Sequence, residues 1–145
     1  MIPFAQPDLT GNELRYLLEA FDSGWISKGD FITRFELKLM ERFGWHAVVC
    51  SNGTAALHLA LLAGGIGHGA RVILPDLTFA SAAHVVKHVG AELVLADVDS
   101  HGLISASAVH ELAYHGARAV MPTHLFGLEC DMRGIMATAR QYGLL

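Results

Sequence analysis

The chain has 145 residues, of which 52% are apolar and 17% charged, with a formal net charge of −4. This composition excludes an intrinsically disordered protein, and the acidic balance offers no basic surface for nucleic acid or for an anionic membrane. The length is that of one domain or of a part of one.

The first 45 residues are predicted to form an arm and two helices. Prolines at positions 3 and 7 favour an extended arm up to Leu9, and Thr10 with Glu13 forms a candidate capping box. Apolar residues at helical spacing predict one helix ending near Asp22 and another over residues 31–43. The aromatic residues of these helices are interpreted as core packing. The apolar residues at helical spacing are Leu14, Leu17, Leu18 and Phe21 in the first helix, and Phe35, Leu39 and Phe43 in the second.

The next stretch, residues 47–60, is predicted to be a strand, a tight turn and the start of a helix. The apolar run 47–50 ends at Ser-Asn-Gly-Thr, and strong helix formers begin at Ala55. Unpaired N–H groups and the helix dipole make such a junction suitable for a phosphate. Gly53 would allow a close approach, while the Thr54 hydroxyl would either cap the helix or bind the anion. The alternative is a capped helix with no ligand.

The glycine-rich segment at 64–69 resembles a dinucleotide fingerprint only in composition. That fingerprint requires a strand before the glycines and a helix after them. Here a helix precedes them and the apolar run 71–74 follows. The segment is therefore predicted to be a helix C-cap and a turn.

The remaining chain alternates strands and helices, which predicts an α/β fold with a mostly parallel sheet covered by helices on both faces. Four strand–helix repeats are expected in all. In such sheets ligands bind beyond the carboxyl ends of the strands, so four polar turns should gather at one edge. Further strands are predicted at 92–96 and 119–123, and another strand is expected to start at 143–145. Further helices are predicted at 80–88, 105–114 and 132–142. The polar turns are 51–54, 76–79, 97–99 and 123–127.

The histidines and cysteines give weaker indications of function than the motif at 51–54. His84 and His88 lie four apart on a predicted helix, but no third ligand is near in sequence, so two unliganded histidines are favoured over a metal site. Cys50 and Cys130 are predicted to be reduced thiols of a cytoplasmic protein. No signal peptide and no membrane-spanning run is expected.

Six motifs in this order resemble the DegT/DnrJ/EryC1/StrS family of pyridoxal-phosphate-dependent aminotransferases, which act mainly on nucleotide-linked keto-sugars. The resemblance implies the large domain of the aspartate-aminotransferase fold, present in part, with an N-terminal region over 1–45 and the first part of the cofactor-binding domain over 46–145. The motifs are Ser-Gly-Trp-Ile-Ser-Lys-Gly at 23–29, Phe-Glu at 35–36, Ser-Asn-Gly-Thr-Ala-Ala-Leu at 51–57, Pro-Asp-Leu-Thr-Phe at 75–79, Asp-Val-Asp at 97–99, and His-Leu-Phe-Gly at 124–127 with Asp-Met at 131–132.

The resemblance also implies roles for individual residues. Three consecutive residues would hold the phosphate of pyridoxal 5'-phosphate, and an aromatic ring would stack on its pyridine ring. The phosphate-binding residues are Gly53, Thr54 and Ala55, and the stacking residue is Phe79. Near the sugar substrate it implies Trp25, Ile26, Ser27 and His124. The alternatives are a loop anchor for Trp25, an ordinary core residue for Phe79 and a strand cap for His124.

In the family, an aspartate that pairs with the pyridine nitrogen and a Schiff-base lysine follow further along. None of Lys28, Lys38 and Lys87 matches that lysine, so no catalytic residue is assigned and the 145 residues alone are expected to be inactive. The expected function is part of a sugar aminotransferase, with an amino-acid donor, as a homodimer or paired with a longer homologue. The alternatives are a non-catalytic remnant or interaction module, and part of a related sugar dehydratase.

Overall fold

A computed structural model describes residues 6–25 and 27–145. The chain divides into two compact units, Met1–Val49 and Cys50–Leu145. Within the described part of the first unit lie two helices, α1 (Glu13–Asp22) and α2 (Asp30–Phe43). The second unit contains α3 (Gly53–Ala63), β1 (Arg71–Pro75), α4 (Ser81–His88), β2 (Glu92–Ala96), α5 (Ala106–Tyr114), β3 (Ala119–Val120), a short 3-10 turn (Leu125–Gly127) and α6 (Met132–Tyr142).

In the first unit, both helices form where the apolar spacing predicts them, but their apolar faces are not buried. Neither α1 nor α2 contains a buried residue. Phe21, Phe35 and Phe43 are 75%, 51% and 62% exposed. The interpretation of these aromatics as core packing is therefore wrong for this chain. Helical periodicity identifies an apolar face, but whether a neighbour covers that face is decided by tertiary structure.

The start of α1 also differs from the prediction. Asn12 occupies the N-cap position, and its side chain makes no capping hydrogen bond. The Thr10 hydroxyl instead donates to Asp8 at 2.7 Å. The capping box between Thr10 and Glu13 is thus absent, because the local turn with Asp8 takes the Thr10 side chain out of reach of the helix.

Residues 47–50, predicted to be a strand, have no regular secondary structure. The backbone N–H of Val49 donates to the Glu36 carboxylate at 3.0 Å rather than to a neighbouring strand. An isolated apolar run is not a strand without a hydrogen-bonded neighbour. The four predicted strand–helix repeats therefore become three strands in the described residues.

The three strands form a parallel sheet in the order β2-β1-β3, with Val72 paired to Leu93 on one side and to Ala119 on the other. Strand β3 is shorter than predicted, since it ends at Val120. Beyond it, Leu145 donates its N–H to the carbonyl of Arg118 and accepts from the N–H of Val120, each at 3.0 Å. This alternating pattern is that of a parallel neighbour, which agrees with the prediction of a strand starting at 143–145.

The central strand β1 has apolar cores on both of its faces. Val72 and Leu74 pack with α3 and α4, where Val85 is also buried. Ile73 points to the opposite core, which contains Val109 of α5 and Ile135 of α6 among others. This confirms the predicted sheet with helices on both faces. It also explains the nearly continuous apolar sequence of β1, since a strand covered on both sides has no solvent face.

Candidate functional site

The N-terminus of α3 is capped by Asn52, whose side-chain Oδ1 accepts from the Ala55 N–H at 2.9 Å. The Asn52 carbonyl accepts from Ala56. The cap is thus Asn52, one of the strongly preferred N-cap residue types, and not Thr54. Within the described residues, the N–H groups of Gly53 and Thr54 have no acceptor, whereas the N–H of Ala55 is already bonded.

These two free amides have open space around them. A Cβ placed on Gly53 would meet no atom within 4 Å. Thr54, whose hydroxyl has no partner among the described residues, is half-buried beside it. Two free N–H groups, one hydroxyl and the positive end of a helix dipole provide the donors that a phosphate dianion accepts. The residues present therefore fit the phosphate of pyridoxal phosphate.

Two strand ends are joined beside this helix. The Thr78 and Thr123 hydroxyl oxygens, which follow β1 and β3, lie 2.9 Å apart. Parallel strands deliver their carboxyl ends to one edge, so this contact confirms the predicted meeting of the turns 76–79 and 123–127. The Thr78–Thr123 pair was not identified from sequence, because a hydroxyl contact between residues 45 apart leaves no local signal.

A pocket of about 320 Å³ lies at this edge. Leu57, from the first turn of α3, lines it together with Phe79 and His124. Phe79 is 79% exposed, which rules out its interpretation as an ordinary core residue. An exposed aromatic face beside an apolar wall suits a flat heterocycle. The other lining residues are Thr78, Ser81, Ala82, Met121, Pro122 and Thr123.

His124 is exposed but anchored through one ring nitrogen. Its Nδ1 accepts from the backbone N–H of Cys130 at 3.1 Å. The Cys130 thiol, which is 3% exposed, donates to the Thr123 carbonyl at 3.1 Å. Burial is the main cause that raises the pKa of the Cys130 thiol above its ordinary value of 9.0. Sequence reasoning missed Cys130 as a partner of His124, since the path of the five residues between them, a short 3-10 turn and an irregular segment, has no clear sequence signal.

The turn 97–99 has a structural role on the evidence of its contacts. The Asp99 carboxylate accepts from the N–H groups of Leu103 and His101, which lowers its pKa. The neighbouring residue Val98 pairs with Ile104 in an isolated antiparallel bridge. Asp131, from the last motif, caps α6 by accepting from the Gly134 N–H at 3.0 Å. Both aspartates therefore hold local turns together.

Of the four residues predicted to lie near the sugar, Trp25, Ile26 and Ser27 belong to the first unit, whereas His124 belongs to the second. Trp25 and Ser27 line a cavity of about 670 Å³ formed with residues of α1 and α2. Trp25 is 66% exposed, and its Cβ lies close to Gly29, where an added methyl would approach to 3.2 Å. Ile26 lies outside the described residues.

The histidine pair gives no metal centre in the part of the chain that is described. No group of three His, Cys, Asp or Glu side chains there could hold a metal ion. His88 instead lies near His58, with ring centroids 5.9 Å apart. Over the same residues, no helix combines the length and the apolar character needed to span a bilayer.

The fold, with a pocket at the carboxyl edge of its parallel sheet, is that of a class of protein, the pyridoxal-phosphate aminotransferases. A family model described as the DegT/DnrJ/EryC1/StrS aminotransferase family matches residues 7–145. The chain belongs to that family, as its motifs predict. GDP-perosamine synthase of Caulobacter vibrioides is 45% identical over 147 aligned positions, which cover 99% of this chain and 40% of that protein. The Escherichia coli O157:H7 enzyme of the same name is 42% identical, with the same coverage.

Solved structures agree on the fold. An aminotransferase from Psychrobacter cryohalolentis superposes with a TM-score of 0.88 at 32% identity, covering 98% of this chain and 37% of that one. The 3-amino-5-hydroxybenzoic acid synthase gives 0.88 at 33% identity, covering 97% and 38%. The aspartate-aminotransferase fold is thereby confirmed, and the chain spans about 40% of the length of the curated relatives it matches.

Proposed function

We propose that this chain forms the phosphate-binding and ring-stacking part of the cofactor site of a sugar aminotransferase. Gly53 and Thr54 hold the phosphate of pyridoxal phosphate, and Phe79 stacks on the pyridine ring. A pyridoxal phosphate bound in this way acts as an electron sink for transfer of an amino group. The substrate class is a nucleotide-linked keto-sugar, because two of the relatives reported above are GDP-perosamine synthases.

One observation carries the proposal. Leu57 lies one helical turn from Gly53 and lines the same pocket as Phe79 and His124. One turn is about 5.4 Å of helix, a separation that supports one site in which the free amides and the aromatic face contact the same cofactor. The chain's own residues thus bind the anion at one end of the site and offer a flat apolar surface at the other.

The sugar would lie near Trp25, Ile26 and Ser27, and an amino acid would supply the nitrogen. The support is the wide cavity that Trp25 and Ser27 line in the first unit. None of the three lysines lines the Phe79 pocket, so the 145 residues alone are expected to bind the cofactor without a stable covalent link. A homodimer and a cytoplasmic location stay predictions.

The direct test is a pyridoxal phosphate titration followed by borohydride reduction and intact-mass measurement. We expect saturable binding without a stoichiometric reduced adduct. An adduct at one lysine would contradict the expected absence of a covalent link. No saturable binding would favour the non-catalytic interaction module instead.

A matched pair of variants locates the phosphate. Gly53→Ala adds a methyl group to open space, so folding should be unchanged, but the methyl would crowd a bound phosphate and weaken binding about tenfold. Gly67→Ala is the control, since its Cβ would meet only the Val89 carbonyl at an ordinary 3.6 Å. Equal affinity of the two variants would exclude the α3 N-terminus as the phosphate site.

A further inference from the structure

The anchoring of His124 fixes where its proton lies. A backbone N–H can only donate, so Nδ1 of His124 must accept from the Cys130 N–H at 3.1 Å. A neutral imidazole carries one proton, and with Nδ1 as acceptor that proton is on Nε2. Nε2 has no hydrogen-bond partner within the described residues and is the ring nitrogen available to a ligand.

The Cys130 loop holds this arrangement from a buried position. Cys130 is 3% exposed, and its thiol donates to the carbonyl of Thr123, the residue directly before His124. The Thr123 hydroxyl in turn contacts Thr78. His124 is thus connected through its ring to the buried Cys130 and through its backbone neighbour to the half-buried Thr123–Thr78 pair. Such support fixes a ligand-binding side chain in one orientation.

The other side chains that line the pocket with His124 are apolar or carry a hydroxyl group, among the described residues. Among the described residues that line the pocket there is no Asp, Glu, Lys or Arg. A ring with a proton on Nδ1 would lose the Cys130 hydrogen bond, because Nδ1–H cannot accept, so this bond requires the Nε2–H form.

We propose that His124 is a ligand-binding residue held by Cys130 as the neutral Nε2–H tautomer, which donates a hydrogen bond to an oxygen atom of the pyridoxal phosphate stacked on Phe79. This assignment rests on the proposed function for its ligand, but the tautomer itself does not. His124 acts as a donor and positioning group, and Cys130 acts through it.

Two substitutions separate the two ring nitrogens. His124→Asn places an amide oxygen near the position of Nδ1, so it keeps the acceptor for Cys130 and loses the outward donor. His124→Gln extends an amide N–H to the reach of Nε2, so it keeps the donor and leaves the Cys130 N–H without its acceptor.

The two variants are expected to differ in opposite ways, one in cofactor affinity and the other in stability. Relative to the parent chain, His124→Asn should weaken pyridoxal phosphate binding about threefold to tenfold with little change in the urea midpoint. His124→Gln should retain affinity within about twofold, with a lower urea midpoint. Equal affinities of the two variants, or weaker binding by His124→Gln, would overturn the donor role. No binding by the parent chain would instead overturn the proposed function, and the assigned ligand with it.

The tautomer is tested without any ligand. Two-bond proton–nitrogen NMR correlations distinguish Nδ1–H from Nε2–H imidazoles at about pH 8, where a free histidine is neutral. His124→Asn identifies the His124 signals among those of nine histidines. A protonated Nε2 with an unprotonated Nδ1 supports the proposal, and the opposite pattern or an exchanging mixture overturns it.

Discussion

Both units of this chain contain amphipathic helices, but the helices differ in whether their apolar faces are buried. In the first, α1 and α2 are amphipathic but contain no buried residue. In the second, the shorter α4 has Ala82, Val85 and Val86 buried against the sheet. Apolar periodicity is thus equally good at predicting a helix in both units. It says nothing about burial, because burial depends on a covering surface elsewhere in the chain or in another chain.

The largest effect should come from substituting the same residue type in the two units. Leu74→Ala removes a side chain that is fully buried in β1, whereas Leu17→Ala acts on one that is 68% exposed in α1. Urea unfolding should show a loss of about 2–5 kcal/mol for Leu74→Ala and within about 0.5 kcal/mol for Leu17→Ala. A comparable loss for Leu17→Ala would mean that the α1 face is covered in solution.

An intermediate effect is expected from exposed aromatic residues of the two units. Phe79→Ala should weaken pyridoxal phosphate binding about tenfold, because a stacked heterocycle loses its aromatic partner, while stability should change little at 79% exposure. Trp25→Ala is the counterpart from the first unit and should leave cofactor affinity within about twofold, as its proposed role concerns the sugar. Fluorescence titration measures both, and an equal loss for Trp25→Ala would contradict the division of roles.

The smallest effect is expected in the pH dependence of the free energy of unfolding, through the buried Cys130 thiol of the second unit. Because burial raises the pKa of the Cys130 thiol, its thiolate forms first in the unfolded chain. The free energy of unfolding should therefore be unaffected by this group at neutral pH and fall as the pH rises above 9.0.

Cysteine variants assign that pH dependence. Cys130→Ala should reduce the slope above pH 9.0 by less than about 1.4 kcal/mol per pH unit, the limit for one proton. Cys50→Ala, which removes the chain's other thiol at a half-buried position, serves as the control for loss of a cysteine. An unchanged slope in Cys130→Ala would assign the alkaline loss to other groups.

Much of the site was predictable because its signals are local. The glycine and threonine after a polar turn indicate an anion-binding helix start, and the alternation of strands and helices places such turns at one edge. The Asn52 cap was predictable from sequence too, since asparagine before a helix is a strong N-cap signal. The exposed position of Phe79 and the Cys130–His124 hydrogen bond were not available, because the first depends on which distant residues cover the ring and the second on the path of an irregular loop.

The sequence by itself determined the helix positions to within a residue or so, the strands 71–74 and 92–96, the two-sided covering of β1 and the family. These follow from periodicity, capping residues and contiguous motifs, which are properties of neighbouring residues. Only the tertiary structure decided that residues 47–50 pair with no strand, that α1 and α2 keep exposed apolar faces, and that His124 accepts from Cys130. Strand pairing, the burial of a helix face and the tautomer of a histidine each depend on a partner that folding brings close. The local sequence pattern does not specify that partner.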